Sequence, residues 1–116
     1  MKTAVVIGAG IGGLAAAIRL AAKGFKVEVF EANIYPGGKL SEITLGDYRF
    51  DAGPSLFTLP ALVDELFILC GKHPREYFNY QRLDEITRYF YDDGTFISAS
   101  KNRKSFAAEI EKQTGS

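Results

Sequence analysis

Ala4 to Ile7 is an unbroken apolar run with β-branched residues at three of its four positions, the pattern of a short parallel strand buried on both faces. From Leu14 to Lys23 the chain is rich in Ala and Leu, and Leu14, Ile18 and Ala21 fall on one helical face with Ala17 beside them. Gly24 is the expected stop, in the left-handed C-cap position, and Lys23 complements the negative end of the helix dipole. Lys26 to Phe30 then alternates polar and apolar as a second strand, closed by Glu31. Further on, Ser41–Leu45 and Tyr48–Phe50 alternate around Gly46-Asp47, which predicts a hairpin, and Asp51 to Ser55 turns the chain again. Pro60 to Cys70 predicts a helix with Pro60 in its first turn. It is apolar almost all round, with Leu62, Leu66 and Leu69 on one face, Val63, Phe67 and Cys70 on the next, and only Asp64 and Glu65 charged, so core packing is expected over a lipid or substrate surface. Thr87–Tyr91 and Thr95–Ser98 form a second predicted hairpin through Asp93-Gly94. Arg103 to Gln113 is a predicted amphipathic helix with Phe106 and Ile110 one turn apart and Glu109 three residues before Lys112.

The seam between the first strand and the first helix carries the chemistry. Gly8-Ala9-Gly10-Ile11-Gly12-Gly13 follows the strand without a gap, and Gly8, Gly10 and Gly13 fill a dinucleotide fingerprint. Gly8 permits the tight turn, Gly10 lets a diphosphate approach the backbone, and Gly13 lets the helix pack closely on the sheet. The positive end of the helix faces this turn, so unpaired N–H groups make the anion site. Glu31, about 20 positions on, stands where a carboxylate accepts hydrogen bonds from an adenosine ribose and repels a 2′-phosphate. That argues against NADP and leaves NAD and FAD open; an ordinary solvated strand end is the plain alternative. The whole reads as α/β, a Rossmann-like βαβ unit with added β-hairpins and helices.

Composition narrows the rest. In 116 residues, 47% hydrophobic and 13% aromatic, there is material for one domain with a modest core. Fourteen basic residues balance fourteen acidic ones, so no global field recruits nucleic acid or an acidic surface. The lone Cys70 reads as a buried small hydrophobe in a reducing cytoplasm, and the lone His73 supplies no metal cluster. Lys2 before an Ala-rich stretch imitates a secretory signal or membrane span, but four glycines in six residues and Arg19 argue against it. Asp92-Asp93 reads as a turn rather than a metal site, and Lys101, Arg103 and Lys104 as a solvated basic face. Tyr77, Tyr80, Tyr89 and Tyr91 need no purpose beyond half-buried packing.

After Glu31 the chain leaves the plain nicotinamide-binding pattern for Ala32-Asn33-Ile34-Tyr35-Pro36-Gly37-Gly38-Lys39. Pro36-Gly37 marks a turn, Gly37-Gly38 permits a second close backbone approach, and Lys39 offers a point charge. The fingerprint, the acidic strand end, the PGGK loop and the segment YRFDAGPSLFTLP together resemble the amino-terminal part of the phytoene desaturase family, within the amine-oxidase-like flavoproteins. The stretch Tyr48 to Pro60 carries the narrower part of that resemblance. It implies FAD as the cofactor. It also implies that Gly8, Ala9, Gly10, Ile11, Gly12 and Gly13 face the diphosphate, Glu31 the ribose and Ala32 the adenosine side. Gly38, Lys39 and Leu40 would pass the diphosphate and ribityl chain, with Lys39 where Arg is common in the family. Gly53, Pro54 and Ser55 would turn near the ribityl chain and flavin ring, with Asp51 fixing that turn.

The resemblance covers only the beginning of the family's length, so the chain is expected to be an incomplete fragment of a larger two-domain fold. Residues 1–116 would form one amino-terminal FAD-binding region, with 1–56 the dinucleotide unit and 57–116 the start of a substrate-domain excursion. The implied parent is an oxidoreductase that desaturates a carotenoid precursor such as phytoene by hydride transfer to flavin, with no catalytic side chain identified here. An NAD-dependent dehydrogenase and a non-catalytic dinucleotide-binding short product are the alternatives. A long-chain polyene or other apolar substrate, no nucleic acid, a peripheral membrane contact of a cytoplasmic protein, and self-association through open apolar surface complete the expectations.

Overall fold

A computed structural model describes residues 1–115, and these divide into two compact units, 1–78 and 79–115. The first begins with β1 (Thr3–Ile7), α1 (Ile11–Ala22) and β2 (Lys26–Phe30). β1 and β2 pair in parallel from Thr3↔Lys26 to Ile7↔Phe30, the arrangement that a crossover helix imposes. Gly24, at φ 84°, ends α1 in the left-handed conformation, and its N–H donates to the Ala21 carbonyl at 2.9 Å. β3 (Glu42–Leu45) and β4 (Tyr48–Asp51) make an antiparallel hairpin through Gly46-Asp47, and α2 (Pro60–Leu69) leads into a 3-10 turn at Pro74–Glu76.

Burial follows from how few layers each sheet has. α1 covers one face of β1–β2, leaving Ala4, Val6 and Val27 half-buried, while Val5 and Ile7 on the other face are 58% and 89% exposed. The expectation of a strand buried on both faces is therefore corrected: a single helix layer can cover only one side of a two-stranded sheet. The same correction applies to α2. Only Leu66 is buried, and Leu62, Ile68, Leu69 and Cys70 are exposed, because among the described residues the only helices or strands α2 meets are α1 and the 3-10 turn.

What does hold α2 is its charged pair and an aromatic cluster. Asp64 accepts two hydrogen bonds from the Arg75 guanidinium, whose Cζ also lies 5.2 Å from the Phe78 ring centroid, and Glu65 pairs with Arg19 of α1 at 3.3 Å. Phe67 stacks with Tyr77 and Phe78 at 5.1 and 5.5 Å, and Phe57 meets Phe78 edge-on at 5.9 Å.

The second unit is β5 (Glu85–Phe90) and β6 (Phe96–Ser100), an antiparallel hairpin with α3 (Arg103–Thr114) packed on β6 over the buried Ile97 and Ala99. Asp93 shapes the connecting turn by accepting the Thr95 N–H at 2.8 Å, and Lys101 of the basic cluster pairs with Asp84. The α3 N-terminus is capped by Asn102, whose Oδ1 accepts from the Lys104 and Ser105 N–H groups at 2.9 and 3.2 Å. The apolar periodicity located this helix but gave no notice of its cap. Among the described residues no helix is long and apolar enough to cross a membrane, and no three His, Cys, Asp or Glu side chains come together as metal ligands.

Candidate functional site

The glycine turn is locked to both of its flanking strands. Gly8, at φ 96°, turns the chain out of β1 while its N–H donates to the Phe30 carbonyl at 2.7 Å, so the turn hangs from the end of β2. Gly13 is where helix and strand touch: a Cβ built there would lie 2.0 Å from the Gly8 carbonyl oxygen and 3.5 Å from Val6 Cγ1. Gly12 differs, since a Cβ there meets nothing within 4 Å. One glycine serves packing; the other leaves space in front of the helix.

α1 begins at Ile11 with Gly10 as N-cap, and no side chain caps it. The first-turn N–H groups and the positive end of the helix dipole are thus left to solvent or to an anion. Glu31 sits beside this turn. Its Oε2 accepts the Ala9 N–H at 2.7 Å, and its Oε1 accepts both the backbone N–H and the side-chain amide of Asn33 at 2.9 Å. These bonds, the Asn33 N–H first and the Ala9 N–H next, hold the Glu31 carboxyl below its ordinary pKa. Glu31 is therefore a fixed anion that ties the glycine turn to the start of the next loop, a role absent from the sequence reading. The Asx residue two positions after it was the available signal.

The second loop comes back against the first. Gly37 N–H donates to the Ala9 carbonyl at 2.8 Å, Gly10 and Gly37 form a parallel bridge, and a Cβ on Gly38 would stand 3.1 Å from the Gly10 Cα. The close approach expected at Gly37-Gly38 thus includes the glycine turn itself. Lys39 is exposed and forms no ion pair among the described residues. Leu40, 49% exposed, follows it.

Behind Lys39 lies the third segment. A Cβ on Gly53 would be 1.8 Å from the Lys39 carbonyl oxygen, and Ala52 N–H donates to the Ser41 carbonyl at 2.9 Å, so the turn after β4 is pressed onto the loop before β3. Pro54 lines an open cavity of about 600 Å³ on this flank with Tyr35, Pro36, Leu40, Ser41, Glu42, Arg49 and Asp51. The site residues are accordingly brought together in two groups: Gly8 to Gly13 with Glu31 and Gly38, and Lys39 and Leu40 with Gly53 and Pro54. Ala32 and Ser55 are exposed beside these groups.

On the polar face of the hairpin Arg49 Nε donates to Glu42 at 2.5 Å and Arg49 Nη1 lies 3.1 Å from Asp51. Glu42 first, then Asp51, raise the Arg49 pKa above its ordinary value. The sequence reading left Arg49 unassigned, although strand alternation already places Glu42, Thr44, Arg49 and Asp51 on one face.

Residues 6–67 match the family model of the NAD(P)-binding Rossmann-like domain, and the chain belongs to that family. It is 53% identical over 97% of its length to a 1-hydroxycarotenoid 3,4-desaturase of Flavobacterium sp. strain P99-3, of which it covers 24%. It is 40% identical over 97% of its length to a neurosporene-forming phytoene desaturase of Rhodobacter capsulatus, of which it covers 21%. A 4,4′-diapolycopene oxygenase of Methylomonas sp. is 40% identical over 93% of the chain, which covers 22% of that protein. The crystal structure of an oxidoreductase from Methanosarcina mazei superposes with a TM-score of 0.58 at 25% identity, over 99% of this chain and 35% of the other. The chain thus spans about a quarter or less of the curated relatives named here, and the resemblance to the phytoene desaturase family is borne out.

Proposed function

We propose that this member of the NAD(P)-binding Rossmann-like family holds FAD, as the dinucleotide-binding portion of an oxidoreductase that desaturates a carotenoid precursor such as phytoene. The observation that carries the reading is the docking of the Gly37–Lys39 loop on the glycine turn, which puts Lys39 and the uncapped start of α1 on one continuous backbone surface. A plain nicotinamide unit has no need of that second loop. The names of the relatives support a polyene substrate for the whole protein.

In this reading the N–H groups of Ile11, Gly12 and Gly13 bind the diphosphate, with Gly10 and Gly38 clearing its path. Glu31 uses its remaining acceptor capacity for the adenosine ribose next to Ala32, and its charge excludes a 2′-phosphate. Lys39, with Leu40, follows the diphosphate and ribityl chain as a point charge rather than a bidentate fork. Gly53, Pro54 and Ser55 border the ribityl and flavin end, with residues 57–116 leading toward the substrate domain. FAD, when bound, supplies the hydride acceptor; the residues of this chain bind and orient it, and none is assigned as a catalytic acid or base. A cytoplasmic protein touching the membrane surface peripherally would meet its apolar substrate there.

The family model's description, an NAD(P)-binding domain, is compatible with a second reading, an NAD-dependent dehydrogenase. Calorimetric titration of the full-length protein with FAD and with NAD, using Glu31→Ala as control, separates the two. We expect FAD to bind, with the visible absorbance of a flavoprotein, and the control to weaken it. Binding of NAD without FAD overturns the proposal.

A further inference from the structure

The pairing Glu42↔Asp51 sets two carboxylates directly opposite each other at the open end of the β3–β4 hairpin. Like charges in that position drive strands apart. Arg49, one side chain along the same face, bridges both: Nε to Glu42 at 2.5 Å and Nη1 to Asp51 at 3.1 Å. The strand end it bridges runs straight into the seam with the second glycine loop. On one side of that end Ser41 accepts the Ala52 N–H, and on the other Gly53 sits on the Lys39 carbonyl, with no room even for a methyl group. A hairpin opened at Glu42 and Asp51 would therefore carry Ala52 and Gly53 away from Lys39 and Ser41.

We propose that Arg49 is a positioning residue that sets the Gly37–Lys39 loop by holding the Glu42/Asp51 end of the hairpin closed. It acts from the Lys39 and Gly53 side of the loop, which in the FAD reading follows the diphosphate and ribityl chain, so the part of the dinucleotide beyond ADP should feel it most. This rests on the FAD reading above. Both carboxylates and the guanidinium are at least half exposed, so the effect is modest and sensitive to salt.

The test compares FAD and ADP as probes on the full-length protein. Arg49→Met should raise the Kd for FAD about three- to fivefold at low salt, the upper end for an exposed ion-pair network, and raise the Kd for ADP by clearly less, because ADP lacks the ribityl chain. Arg49→Lys should fall between. Adding Glu42→Gln to Arg49→Met removes the repulsion and should restore FAD affinity, a rescue that general loss of structure would not allow. The fluorescence of bound flavin should change in Arg49→Met and revert in the double variant. Equal weakening of FAD and ADP, unchanged FAD affinity, or absence of rescue overturns the proposal. A wild-type protein that binds ADP but no FAD removes the FAD reading, and this proposal with it.

Discussion

Gly13 and Gly12 are neighbours in sequence, both in the first turn of α1, and the structure predicts opposite consequences for the same substitution. In Gly13→Ala the new methyl would lie 2.0 Å from the Gly8 carbonyl oxygen and 3.1 Å from its carbon, both backbone atoms that cannot rotate aside. Relief requires α1 to retreat from β1 by more than an ångström, which strains the Leu14-to-Gly10 and Gly8-to-Phe30 hydrogen bonds. Overpacking of this kind costs about 1–3 kcal/mol and sometimes more, while alanine's helix preference returns up to about 1 kcal/mol. With backbone as the obstacle the upper end applies, and the net loss should be about 2 kcal/mol, or roughly 8–16 °C in Tm for a domain of this size. Gly12→Ala meets nothing and should melt with the wild type or slightly above it. It nevertheless fills space in front of the helix N-terminus and should weaken dinucleotide binding. Thermal unfolding of the two variants without ligand, followed by FAD titration of Gly12→Ala, makes the comparison. Gly13→Ala melting at the wild-type temperature would refute the packing assignment, and undiminished FAD binding by Gly12→Ala would refute the ligand assignment.

Glu31→Gln, which keeps the shape but loses the charge, should weaken dinucleotide binding about tenfold, read by calorimetry, because charge-assisted bonds to Ala9 and Asn33 hold both loops. The folded-state pKa of Glu31 lies below its ordinary value, so the folded state favours the ionised form. Its stabilising effect is therefore complete above that ordinary value and is lost as pH falls through the lower folded pKa. The wild-type acid unfolding midpoint should shift to higher pH in Glu31→Gln; an unchanged midpoint counts against the tie. Asn102→Ala removes both acceptor contacts at the start of α3 and should destabilise that helix by about 1 kcal/mol, seen as faster amide exchange at Lys104 and Ser105. The open face of β1–β2, with Val5, Ile7 and Phe30, should drive association of the 116-residue chain. Ile7→Lys should reduce it in sedimentation velocity, and a compact wild-type monomer at high concentration would sink that expectation.

The local elements were legible because their causes are local. A β-branched run, an Ala-Leu helix stopped by Gly24, and an alternating strand define β1, α1 and β2 within a residue or three, and Gly46-Asp47 and Asp93-Gly94 place both hairpins. The glycine spacing alone led to the close packing now seen at Gly13, since only a missing side chain permits it. Burial was not legible in the same way. Cys70, Leu62 and Ile7 are hydrophobic whatever surrounds them, but whether they are covered depends on how many layers pack on their element.

What the sequence determined by itself is the order of elements, the dinucleotide fingerprint and the family, because each rests on residues close together in the chain. Tertiary structure alone decided that Glu31 is spent partly on Ala9, that Gly38 rests on Gly10 and that Gly53 is pressed onto Lys39. Each of these joins residues from different segments. Their contact is set by how the loops close in space, which side-chain periodicity does not encode.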